Sequence, residues 1–232
     1  MRSCGVLCFG LVLALLCGCR DPQLIRSIRQ GESAVSQKMV VDGVNVNAKD
    51  RQGQTALYAA IEARDKETYL LLLGKGANPN LCDHVGMSPI HLAAEQDDIF
   101  WLREALQHGG NPNELNTGNT FYPNETPIFY AISKVQSENV LELIAAGADV
   151  NHVDGNGWTP LYAAMYSGMF CVMMKLLEAG ADPTPAEPAF SIFSNGWFNE
   201  NYVKVLETDE DKRDYFALKT MLIDKGYLKP HR

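Results

Sequence analysis

Thr126-Pro127-Ile128-Phe129, then Gly147-Ala148-Asp149-Val150-Asn151, then Thr159-Pro160-Leu161-Tyr162: the return of the first motif after 33 residues decides how this chain folds. Toward the N-terminus the same tetrad stands at Ser88-Pro89-Ile90-His91 and Thr55-Ala56-Leu57-Tyr58, so the starts at 55, 88, 126 and 159 are 33, 38 and 33 residues apart. The glycine motif keeps pace at Gly76-Ala77-Asn78-Pro79-Asn80, Gly109-Gly110-Asn111-Pro112-Asn113 and Gly180-Ala181-Asp182-Pro183, with an earlier copy at Gly43-Val44-Asn45-Val46-Asn47. Two motifs locked in register over four copies describe an array of similar units.

Each unit reads as two helices and a connector. A Thr or Ser hydroxyl caps the first helix, and Pro at the first helical position needs no N–H partner. Small pairs such as Ala59-Ala60, Ala93-Ala94 and Ala163-Ala164 let helices approach closely. The second helix carries apolar runs such as Leu70-Leu71-Leu72-Leu73 and stops at Gly76, Gly109, Gly147 or Gly180, where the chain needs positive φ. Extended connectors such as Asn47–Gly53 lead to the next unit. No unit can bury its apolar face alone, so neighbours must stack. The spacing also predicts an atypical N-terminal unit with helices over Gln23–Gln30 and Ser33–Val41. Phe190–Tyr227 reads as a divergent C-terminal cap, with the charged stretch Glu207–Asp214 as a solvated loop.

The pattern resembles the ankyrin repeat, whose period is 33 and whose marks are T-P-L-H and G-A-D-V-N; the resemblance covers about residues 22–229. It implies an all-α fold, an ankyrin-repeat solenoid of stacked helix-turn-helix units with β-hairpin-like fingers. The organisation expected is a signal peptide over 1–18 and a single repeat domain over 19–232. Its units are 21–53 (N-terminal cap), 54–86, 87–124, 125–157, 158–190 and 191–229 (C-terminal cap). His91 takes the family's structural histidine position, tying neighbouring finger backbones. The resemblance implies binding of another protein through finger tips and the exposed side of the first helix, which gives His84, Glu95, Glu125, Lys134, Asn156, Trp158 and Tyr166 as candidate contacts. The spacing of 38 places five extra residues in one finger, within Asn116–Asn124, and adds Asn119, Phe121 and Tyr122. Exposed aromatics are typical interface anchors. The competing reading has Phe121 and Tyr122 folding back and Trp158 capping a hydrophobic gap.

The opening is of another kind. Met1-Arg2-Ser3 precedes an apolar run ending in Leu16-Cys17-Gly18-Cys19, after which the chain turns polar at Arg20-Asp21. A positive start, a short apolar stretch and a small residue before a boundary describe a secretory signal, too short to span a bilayer comfortably. The boundary resembles the lipobox of bacterial lipoproteins, which implies lipid attachment at Cys19 and a place in the bacterial cell envelope, anchored in the outer membrane and facing the periplasm. An ordinary cleaved signal with a chance cysteine is the alternative.

Charge and motifs exclude several chemistries. With 28 acidic against 20 basic residues the chain carries −8, against nucleic-acid binding. No phosphate-cradling or nucleophile-elbow motif occurs, and the five histidines lack metal-ligand spacing. The expectation is therefore no catalytic residue, metal, cofactor or small-molecule substrate. Cys82 and Cys171 lie two repeats apart, beyond the roughly 7 Å Cα reach of a disulfide, and are expected as free thiols. The function expected is a protein-binding module tethered to the envelope. Its most specific form is an immunity protein neutralising a toxin such as a type VI phospholipase effector. The alternative is a periplasmic scaffold or assembly factor.

Overall fold

Where Thr or Ser meets Ala or Pro, a helix begins. The computed structural model, which describes residues 22–118, 123–183, 206 and 208–226, places first helices at α1 (Gln23–Arg29), α3 (Ala56–Glu62), α5 (Pro89–Glu95), α7 (Pro127–Ser133) and α9 (Pro160–Tyr166). Thr55 and Thr159 cap theirs by accepting from the Tyr58 and Tyr162 N–H groups. The second helices are α2 (Ser33–Val41), α4 (Lys66–Gly74), α6 (Phe100–Gln107), α8 (Ser137–Ala145) and α10 (Phe170–Glu178), and α11 (Asp209–Asp224) follows. The expected Ser33–Val41 helix is matched, and the first ends one residue early, at Arg29.

The helices form two layers. First helices pack in series, α1 on α3, α5, α7 and α9, and second helices sit behind them, with α11 closing against α10. The core runs through the whole stack, from Leu24 and Ile28 past Leu57, Ile90, Ile128 and Leu161 to Leu218 and Leu222. Each repeat buries its apolar side against its neighbours, as a one-dimensional array requires.

The fingers are all-turn structures among the described residues, with one isolated antiparallel bridge, Lys49 with Thr55. Each is closed at its base by a backbone bond: Asp50 N–H to Gln54 O (2.9 Å), Asp83 to Met87 (2.8 Å), Asp154 to Trp158 (2.9 Å). In the third finger the closing bond runs from Asn116 to Glu125 at 2.9 Å, so the five extra residues of sequence fall between its two ends. The base is tightly seated. A Cβ on Gly118 would lie 1.8 Å from the Val85 carbonyl oxygen, so only glycine fits there. On the other side the Gly155 N–H donates to Pro123 O at 2.7 Å.

Asparagines stitch one repeat to the next. Asn47 donates its amide to Gly76 O (3.2 Å) and accepts the Asn78 N–H (2.8 Å). Asn80, Asn113 and Asn151 do the same to Gly109 and Asn111, Gly147 and Asp149, and Gly180 and Asp182. The row ends in sequence at Thr184, where the next asparagine would stand. His91 adds a cross-tie. Its Nδ1 accepts from the Ser88 N–H, which leaves Nε2 to donate to Glu114 O at 3.0 Å. Burial pushes its pKa down to about 4, so it is neutral near pH 7.

Two expectations are corrected. Glu207–Asp214 is not a loop from residue 209 onward: Asp209–Asp224 is helical. Thr208 caps it by accepting the Asp211 N–H, and Asp209, Glu210 and Asp211 fill a first turn where the helix dipole favours negative charge. Trp158 is not an exposed side chain but a partly buried one packed on the core. It stands edge-on to Tyr162, with ring centroids 4.7 Å apart, and tilted against Tyr166 at 5.4 Å. Leaving a whole indole in water would forfeit its large apolar area. Cys19, Asn119, Phe121, Tyr122 and residues 184–205 lie outside the described residues.

Candidate functional site

The strict register of the array lines up chemistry on the finger side of the first helices. Position for position, the last residue of each first helix reads Arg29, Glu62, Glu95, Ser133 and Tyr166. The residue before each cap reads Gln54, Met87, Glu125 and Trp158. Finger starts supply Asp50, Asp83, Asn116 and Asp154. An acidic row results, with aromatic rings on the same face.

At its C-terminal part the row opens into a cavity of about 640 Å³ between the fourth and fifth repeats. Its lining includes the carboxylates Glu95, Glu125 and Asp154, the rings Tyr130, Trp158 and Tyr166, and Ser133, over an apolar floor. Four expected contact residues, Glu95, Glu125, Trp158 and Tyr166, are thus brought together. His84, Lys134 and Asn156 are exposed outside its wall. Lys134 is near enough for its charge to favour ionised Glu95. Tyr166 is 72% exposed, unusual for a ring that its neighbours do not cover.

Burial and mutual repulsion set the electrostatics. The Glu125 carboxyl is pushed up to about 7, first by burial and then by the charges of Asp154 and Glu95. Glu95 is raised by burial, opposed by Lys134. Asp154 is held differently: its Oδ1 accepts the Asn156 and Trp158 N–H groups at 2.8 and 2.7 Å. The Tyr130 phenol is pushed up to about 12, chiefly by burial, and accepts from the Asn116 amide at 2.6 Å. Asn116 is fully buried and also takes the Glu125 N–H on its side-chain oxygen at 3.1 Å. Sequence reading passed over both Asn116 and Tyr130. The clue was available, because Asn116 replaces the aspartate that opens the other fingers.

At the N-terminal end the same register is already filled. Arg29 reaches from the end of α1 to the next finger, its Nη1 2.8 Å from Asp50 Oδ2 and its Nε 4.0 Å from Glu62 Oε2, and it donates to Gln54 Oε1.

Among the described residues no three His, Cys, Asp or Glu side chains gather as metal ligands. Cys82 and Cys171 are free thiols, both pushed up from their ordinary pKa mainly by burial, the opposite of an activated nucleophile.

The family description that matches the chain is Ankyrin repeats, in three overlapping copies over residues 24–109, 63–154 and 90–187. Among curated proteins the chain is similar to an ankyrin repeat protein of Fowlpox virus (strain NVSL), 28% identical over 152 residues, covering 65% of this chain and 21% of that one. It is similar to neurogenic locus notch homolog protein 2 of Homo sapiens, 28% identical over 182 residues, 71% of this chain and 7% of that one. It is also similar to mitochondrial disaggregase of Bos taurus, 27% identical over 168 residues, 69% of this chain and 24% of that one. The chain thus spans a quarter or less of the length of these relatives.

Proposed function

Because the chain belongs to the ankyrin-repeat family, a family of protein–protein interaction modules, we propose that it is a non-catalytic binder that docks a second protein on the groove between its fourth and fifth repeats. The observation that carries this is the open cavity whose wall bears a largely exposed tyrosine beside a half-buried tryptophan. Such rings give a large contact area at low entropy cost and are enriched at interface hot spots. A photo-crosslinking residue at Tyr166 should form a protein adduct in cells. One at Leu141, on the opposite layer in α8, should not. Adducts from Leu141 alone would move the interface to the second helices.

The finer reading rests on the leader. Cys19 at the Leu16-Cys17-Gly18-Cys19 boundary carries lipid and tethers the repeats to a bacterial envelope membrane, where the partner is a toxin such as a type VI phospholipase effector that attacks membranes from the periplasm. A tethered inhibitor would sit where such an enzyme acts. Labelled palmitate should enter the wild-type protein and not Cys19→Ala. Cells lacking the protein should be poisoned by contact with sister cells and rescued by the wild type. Rescue-free survival would instead support the alternative of a scaffold for an envelope protein.

A further inference from the structure

The array carries its own picture of what fits its acidic row. Arg29, at the end of α1, fills the gap toward the next finger, lying over Asp50, Gln54 and Glu62. Three repeats on, the register position of Arg29 holds Ser133, while Asp154 keeps the place of Asp50. Trp158 replaces Gln54 and Tyr166 replaces Glu62. A short hydroxyl has taken the place of a long cation, the carboxylate that faced the cation remains, and a cavity of about 640 Å³ stands there. No Lys, Arg or His belongs to its described lining.

We infer that this cavity takes an arginine side chain of the docked partner, which occupies the place that Arg29 fills in the first repeat. The inference rests on the groove-docking reading and names what enters. The walls suit a guanidinium in particular. Its flat face can lie against Trp158 or Tyr166, and its edge can donate to Glu125 and Asp154 together. An ammonium is a compact, strongly hydrated point charge and uses the ring faces less well. The raised pKa of Glu125 fits the same picture, since carboxylates crowded by burial and by each other are stabilised when a cation joins them.

The test needs no identified partner. The indole N–H resonance of Trp158, assigned by its loss in Trp158→Phe, is followed during titration with acetyl-arginine amide, and with acetyl-citrulline amide as an uncharged analogue of the same shape. The arginine compound should shift the resonance saturably at millimolar concentration, and the citrulline compound should not. Glu125→Gln should weaken the response by about threefold or more, as expected when a charge-assisted contact is lost. Ser133→Arg should abolish it, because the cavity is then filled from within as Arg29 fills the first one. Equal responses to both compounds, or a Ser133→Arg protein that responds like wild type, would overturn the inference. The two proposals fail separately. If the Tyr166 crosslink forms but Trp158 ignores the arginine compound, docking stands and its arginine falls. If Trp158 responds but no crosslink forms at Tyr166, the cavity's chemistry stands and docking there falls.

Discussion

Replacing Glu125 by Gln should make the protein more stable, and only above the acid range. Glu125 N–H and C=O close the third finger through Asn116, and Gln keeps both of those backbone bonds. What changes is the carboxyl, raised from the ordinary 4.5 to about 7 by burial, Asp154 and Glu95. The folded state therefore holds a proton there that the unfolded chain has released. Between about pH 4.5 and 7 the folded state binds more protons, so stability falls as pH rises and the full penalty is present above 7. At about 1.4 kcal/mol per pH unit the gap corresponds to about 3 kcal/mol. The carboxyl is only half-buried and partly open to water, which cuts this to about 1 kcal/mol. For a chain of this size that is a rise in Tm of about 3 °C. Thermal unfolding followed by circular dichroism at about pH 8 should show the gain, and the two proteins should converge toward about pH 4.5. A Tm difference that is absent at pH 8, or equal at both pH values, would refute the assigned electrostatics of the cavity.

Other perturbations separate packing from surface. Trp158→Ala should lower stability by about 2 kcal/mol, because the ring is partly buried against Tyr162 and Tyr166; Tyr166→Ala, at a largely exposed ring, should leave urea midpoints nearly unchanged while reducing partner capture. Asn113→Ala removes both bonds to Gly147 and Asp149 and should cost about 1–2 kcal/mol by chemical denaturation. His91, held down to about 4, stays neutral when folded while the unfolded histidine charges near 6.5, so stability should fall as pH drops from 6.5 toward 4, and this component should vanish in His91→Gln. In the native protein Cys171, exposed on α10, should react with a maleimide faster than the partly covered Cys82; a slower Cys171 would contradict the described exposures.

Much of the architecture was legible in the sequence. Caps, prolines, alanine pairs and terminal glycines are local devices, acting within one turn of helix, so Thr159-Pro160 and Gly180 mark their helix whatever surrounds them. Thr208 with Asp211 is the same kind of device, and it opens a helix inside the charged stretch Glu207–Asp214, where a run of charge taken alone resembles a solvated loop. The period then dictated stacking, since isolated repeats leave their apolar sides in water.

What the tertiary structure decided is everything that depends on which side chains meet once the helices pack and the repeats stack. Whether Trp158 is anchor or packing cannot be read from its place in the motif, because its burial depends on Tyr162 and Tyr166 meeting it across the helix. The cavity is likewise a property of register: Glu95, Glu125 and Asp154 lie about thirty residues apart from one to the next and acquire their shared electrostatics only when stacking brings them to one wall. The sequence by itself determined the helices and the period, because caps, prolines and terminal glycines answer to short-range geometry. Only the stacked array determined that Ser133 leaves open the place that Arg29 fills, because an empty volume belongs to no single residue.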